Sequence, residues 1–199
     1  MRSRGACGAR AAVAAALLLA GIAAQGSAEP VVVERILAVV DGRPLLLSEV
    51  EVLERVRAVD RAAALEAAID ERLMYQDASR SPQAALSAAE AQAALDSVVA
   101  RMGPAASEVG RGELATLARR EAIILKYVHL RFLPQVRIDD EAVRRAYEAE
   151  TAGLGTPPSY EEAAPGLRKR LADRDLDERI EGWVRELRSS ADVRYNVER

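Results

Sequence analysis

Aromatic residues, cysteine and histidine are all scarce here: one tryptophan, one phenylalanine, five tyrosines, one cysteine and one histidine in 199 residues. A single cysteine forms no internal disulfide, so the fold is held by packing alone. The single histidine, His129, has no nucleophile or metal-ligand partner at a useful spacing, and reads as an ordinary helix residue. Glycine-rich phosphate loops and nucleophile elbows are missing as well. No cofactor or metal is expected. The longest apolar run, Ala11 to Ala24, falls short of the roughly 20 residues a membrane helix needs.

That short run has a different reading. Arg2, Arg4 and Arg10 precede it, and the small residues Gly26 and Ala28 follow it. This is the order of a secretory signal peptide over residues 1–28, with cleavage expected after Ala28; the alternative is an uncleaved anchor. Cys7 stands ahead of the apolar run, which argues against lipid attachment. Without residues 1–28 the chain keeps 25 basic residues against 31 acidic, and its net charge falls from −3 to −6. An acidic chain lacks the basic footprint that nucleic acid or an anionic membrane surface demands.

The composition that is present belongs to a helical protein: alanine, leucine, arginine and glutamate dominate. Residues 29–199 suit a single domain. The stretch from Glu113 to Leu133 is the natural centre. Leu114, Leu117, Ile124, Val128 and Phe132 form one apolar stripe, and Ile123, Tyr127 and Leu130 form a second beside it. A helix with two apolar faces needs cover on two sides. Pro134 ends it.

The remaining elements fall on either side. Val31 to Val40 is rich in β-branched residues, Asp41-Gly42 is a two-residue hairpin turn, and Leu45 to Leu47 is the return strand. Ser48 with Glu51 reads as a capping box opening a helix whose buried side is Val50, Leu53 and Val56 or Val59. A second helix, Arg61 to Gln76, turns Leu65, Ile69, Leu73 and Met74 inward. Ser87 with Glu90 caps a third, reaching Met102 with Ala91, Leu95, Val98 and Val99 buried, and a connection with an irregular turn runs from Gly103 to Gly112. Asp139 caps a helix over Asp140 to Glu150. Thr151 to Ser159 is a linker.

Ser159 and Glu162 cap the last helix, whose stripe is Leu167, Leu171, Ile180, Trp183 or Val184, and Leu187. Pro165 lies too deep in it for a first-turn proline, so the helix kinks there or Tyr160 to Ala164 forms a separate turn. Val193, Tyr195 and Val197 then alternate with polar residues as a strand. A strand needs a partner, and the opening hairpin offers one. The expected fold class is therefore mainly helical, with a small sheet built from both ends of the sequence, residues 160–199 folding back to complete it.

The succession ILAVVDGRPLLLSEVEVL, ALEAAIDERLMYQ, the central run, IDDEAVRRAYE, and SYEEAAPGLRKRL through VRYNVE resembles the peptide-binding N-terminal module of SurA-type periplasmic chaperones. Members of that family insert parvulin prolyl isomerase domains between the helices matching Asp140 to Glu150 and Tyr160 to Ser189; here only the Thr151 to Ser159 linker stands there. The resemblance implies a periplasmic, non-enzymatic holdase for unfolded or nascent exported polypeptides, outer-membrane protein precursors above all. Met102, Tyr127, Phe132 and Trp183 are the candidate peptide-binding residues, because flexible and aromatic side chains adapt to varied clients. An adaptor or assembly subunit of a cell-envelope complex is the alternative. A prolyl isomerase is the remote third, since the chain lacks that domain's histidines and has no room for it. The acidic pairs Asp139-Asp140 and Glu161-Glu162 sit in first turns, where the helix dipole explains them. Arg168, Lys169 and Arg170 read as a solvated face.

Overall fold

The computed structural model describes residues 34–196. The leader expected at 1–28, Val31 to Val33 of the first strand, and Val197 of the last lie outside the described residues. Strands β1 (Ile36–Val40) and β2 (Arg43–Leu46) form the hairpin. Asp41 and Gly42 take φ of 48° and 75°, the two positive values that a two-residue turn matched to strand twist requires. The inward side chains Ala38, Val40 and Leu45 are fully buried. Strand β3 (Val193–Tyr195) pairs antiparallel with the other edge of β1, giving the order β2-β1-β3. Asp41 N–H donates to Asp192 O at 2.9 Å, and Asn196 N–H to Leu37 O at 2.8 Å. The two ends of the sequence meet.

Six helices follow the hairpin among the described residues: α1 (Leu47–Arg57), α2 (Arg61–Ala78), α3 (Ala88–Met102), α4 (Arg111–Arg131), α5 (Asp140–Thr151) and α6 (Tyr160–Ser190). Short 3-10 turns occupy Pro82–Ala84, Gly103–Glu108 and Leu133–Gln135. The caps expected at Ser87 and Ser159 are present: Ser87 N–H donates to Glu90 and Ser159 N–H to Glu162, and each hydroxyl accepts from the amide three residues on. Asp139 accepts from Ala142 N–H as expected.

Three local readings are corrected. Helix α1 begins at Leu47, and its first turn is closed by Glu49 accepting from Leu46 N–H at 3.2 Å rather than by Ser48 with Glu51. Ser48 is diverted because its hydroxyl and its amide both donate to Glu34. Helix α6 runs unbroken through Pro165, so Tyr160 to Ala164 is its first turns and not a separate one. Proline removes one intrahelical bond, and the capping box upstream holds the turns it weakens. Leu130, placed in the second stripe of the central helix, is 46% exposed.

The main core lies between the sheet and the first four helices. Val50, Leu53, Ala64, Ala68, Ile69, Leu95, Leu114 and Leu117 are buried in it, and Leu187, Ala191 and Val193 from the end of the chain pack on its edge. Val56, not Val59, completes the buried side of α1; Val59 lies beyond the helix and is exposed. Helix α4 packs on α2 and α3, while α6 packs on α2 and α5. Arg188 of α6 fixes the second arrangement by pairing with Asp70 and with Glu66 of α2, the latter at 2.8 Å. No helix among the described residues is long and apolar enough to cross a membrane.

Candidate functional site

Three of the four candidate residues come together. Tyr127 of α4 and Phe132, which caps its C-terminus, tilt against Trp183 of α6, with ring centroids 5.4 and 5.6 Å away. Val128 joins them in a small second core, covered by Met74, Ile124, Leu176 and Ile180. Met102 is elsewhere, packed half-buried on the main core. Trp183 and Phe132 are only 4% and 7% exposed, so both serve the α4–α6 contact in this state.

One residue that periodicity passed over organises this cluster. Asp77, near the end of α2, accepts through the same oxygen from Trp183 Nε1 at 3.1 Å, Tyr127 OH at 3.2 Å and Arg131 Nη1 at 3.3 Å. The Arg131 guanidinium also stacks over the Phe132 ring at 5.0 Å. A charged acceptor with three donors makes strong bonds, and it fixes where the indole can sit. Beside the cluster the outer side of α4 and the following turn stay bare. Leu125, Leu130 and Leu133 are 55, 46 and 49% exposed. Leu125 and Leu130 stand about 140° apart around the helix, with Lys126 and exposed His129 between them, whereas Leu130 and Leu133 flank buried Phe132 at the helix end.

The second site is a half-open pocket of about 130 Å³ between α1, α2, α4 and the end of β2. Leu45, Val52, Leu53, Ala68 and Leu117 make its apolar wall. Glu71 of α2 reaches into it, 4% exposed. Burial pushes the Glu71 carboxyl up to about 7 from the ordinary 4.5; Arg57 opposes that shift and Glu121 adds to it. Arg57 Nη2 donates to Glu71 Oε2 at 3.2 Å. Glu49, at the rim, is fully engaged by Arg72 at 2.7 Å and Arg120 at 2.9 Å. A stripe of Leu65, Ile69, Leu73 and Met74 alone leaves Glu71 out of the buried side of α2. The signal that finds it is its spacing from Ala64 and Ala68, i, i+4 and i+7, which sets all three on one helical side once alanine counts as apolar.

A larger cleft of about 350 Å³ lies between α5 and α6, beside the loop where the resemblance would place an inserted domain. Leu154 in that loop is 55% exposed, and Tyr147 OH donates to Pro158 O at 2.7 Å. His129 is exposed, and no cluster of metal-ligating side chains occurs among the described residues. The basic run is a surface feature as expected: Arg168 pairs with Asp140, Lys169 with Asp173 and Arg170 with Glu150. Compared with known proteins, the chain matches no family model, no curated protein and no solved structure.

Proposed function

We propose that this protein is a periplasmic, ATP-independent holdase that binds unfolded exported polypeptides, outer-membrane protein precursors foremost. The observation that carries the reading is the pair of exposed leucines at the end of α4 and in the turn after it, Leu130 and Leu133, which flank Phe132 of the aromatic cluster in an acidic chain. Precursors of β-barrels present alternating apolar and aromatic side chains, and an adaptable apolar surface captures them without sequence-specific contacts. Binding the unfolded chain lowers its free concentration by mass action, and no nucleotide is needed. The order of signal, hairpin, central helix and returning strand that resembles the SurA-type module supports the same reading. The function proposed is binding, with no catalytic step.

The test is dilution of a urea-unfolded outer-membrane protein into buffer with the purified protein, followed by light scattering. Suppression of aggregation at equimolar amounts is expected. Leu130→Glu combined with Leu133→Glu should weaken suppression at least threefold while the melting temperature stays within a few degrees, because both positions are already exposed. An inert protein at large excess overturns the reading. Capture of one folded partner from periplasmic extract, in place of many precursors, would favour an adaptor of an envelope complex.

A further inference from the structure

The two outer edges of the sheet are finished differently. Val40, Val39 and Ala38 of β1 lie opposite Val193, Arg194 and Tyr195 of β3. Asp192 O and Asn196 N–H both bond to β1, and bonded positions alternate along an antiparallel pair, so Arg194 between them bonds Val39. Val193 and Tyr195 therefore turn their N–H and C=O groups away from β1. On the β2 edge the residue opposite Val39 is Pro44, which turns away in the same manner. Pro44 has no N–H to offer, and its carbonyl accepts from Arg72 Nη1 at 3.4 Å. Just beyond it, Leu46 N–H is taken by Glu49 at 3.2 Å. The β2 edge is thus blocked by a proline and by side chains, which is how sheets guard against stray pairing. On the β3 edge no further strand follows among the described residues, Tyr195 is exposed and Val193 half-buried. Arg194, the charged residue of that strand, is already paired with Asp192 at 2.6 Å.

We infer that β3 takes up a segment of client polypeptide as a fourth, antiparallel strand, bonded to the outward N–H and C=O groups of Val193 and Tyr195. The inference rests on the holdase reading and deepens it, by giving the client's backbone a place to bind. Strand addition draws affinity from main-chain bonds, which any sequence supplies, and preference from alternate side chains. Val193 and Tyr195 share a face with the buried Ala38 and Val40, and Tyr195 OH reaches Glu66 of α2 at 2.9 Å. Arg194 lies on the other face. An added strand sets every second side chain along the rim of the core and the others in water. That suits a segment alternating apolar with polar residues, the pattern of a β-barrel precursor. A second copy of the protein fits less well. The antiparallel register that uses all three residues of β3 sets the two Arg194 side chains directly opposite each other, where like charges repel.

The same geometry fixes which client amides matter. Residues opposite Val193 and Tyr195 in an antiparallel pair exchange hydrogen bonds with them and lie on the same face. Those are the apolar residues of the client. Its apolar positions therefore donate to β3, and its polar positions do not.

A fluorescent peptide alternating phenylalanine or valine with threonine or serine, titrated with the whole protein and followed by anisotropy, tests this. Saturable binding is expected. N-methylation of two apolar residues should weaken it at least about tenfold, because each removes a donor, while N-methylation of two polar residues should leave it within about twofold. Tyr195→Pro should bind at least about threefold more weakly than Tyr195→Val; both lose the ring and the Glu66 bond, and only proline lacks the outward N–H. The Tyr195 amide bonds nothing in β1, so the ladder survives the change. Should the variant fail to fold, the methylated peptides still test the unaltered protein. Equal weakening by the two methylations, equal affinity of folded Tyr195→Pro and Tyr195→Val, or no binding of the peptide would each overturn the inference. So would a dimer in sedimentation that Tyr195→Pro dissociates, since a second copy would then hold the edge. Suppressed aggregation of the urea-unfolded precursor without the methylation pattern strikes the strand addition alone. The methylation pattern in a protein that suppresses no aggregation strikes the holdase reading alone.

Discussion

Asp77 and Glu71 are acidic residues of the same helix, and their surroundings give them opposite tasks. Asp77 meets three donors and anchors the α4–α6 aromatic cluster. Glu71 is shut in a low-dielectric pocket with one bonded oxygen. Its carboxyl, pushed up by burial to about 7, keeps in the folded state a proton that the unfolded chain releases near 4.5. The folded state therefore binds more protons between those values, and stability falls as pH rises from about 4.5 to 7, by on the order of 3 kcal/mol, then levels off. Glu90 acts in another window. Lys126 and the Ser87 amide and hydroxyl hold it down to about 2, so its contribution is present above about 4.5 and is lost as pH falls toward 2. Urea midpoints measured from pH 3 to pH 8 should peak near 4.5 to 5, and in Glu71→Gln the decline on the alkaline side should disappear. Neither Asp77 nor Glu71 was legible in the sequence, because hydropathy treats every carboxylate as a surface group, and the partners of Asp77 lie 50 or more residues away, outside any local window.

At the scale of elements, the sequence was legible wherever the signal was local. The Asp41-Gly42 turn, the boxes at Ser87 and Ser159, the cap at Asp139 and the breaks at Gly103-Pro104 and Pro134 all fall where short-range geometry requires. The misplaced start of α1 has a non-local cause: Glu34, fourteen residues upstream, takes the Ser48 hydroxyl that would otherwise cap. Pro165 is the weak point of α6. It is exposed and sits at the sixth position of the helix, so its ring costs the bond to Glu161 O and gains no packing. Pro165→Ala restores that bond and should raise the unfolding free energy by about 1 to 3 kcal/mol. Chemical denaturation followed by circular dichroism at 222 nm measures it, and an unchanged or lowered midpoint would mean that the proline serves the α5–α6 contact instead.

The whole molecule is closed by its last strand. β1 has β2 on one side and β3, from the far end of the sequence, on the other, and Tyr195 OH reaches Glu66 of α2 at 2.9 Å. Ending the chain after Ala191 removes β3, the Asp41 to Asp192 bond and cover from Ala38 and Val40. A loss of at least about 2 kcal/mol is expected, with the Asp41 amide losing its protection in hydrogen exchange while amides in the middle of α3 change in step with global stability. The sequence by itself determined the helical class, the turn and cap positions, and the need for a partner to the terminal strand, because those follow from side-chain periodicity and backbone geometry over a few residues. Only the tertiary structure decided which acids were buried, that the tryptophan would fill a second core, and that one side of the central helix would stay open to solvent. Those outcomes depend on what distant segments cover, and coverage is a property of the assembled fold that no short stretch of chain encodes.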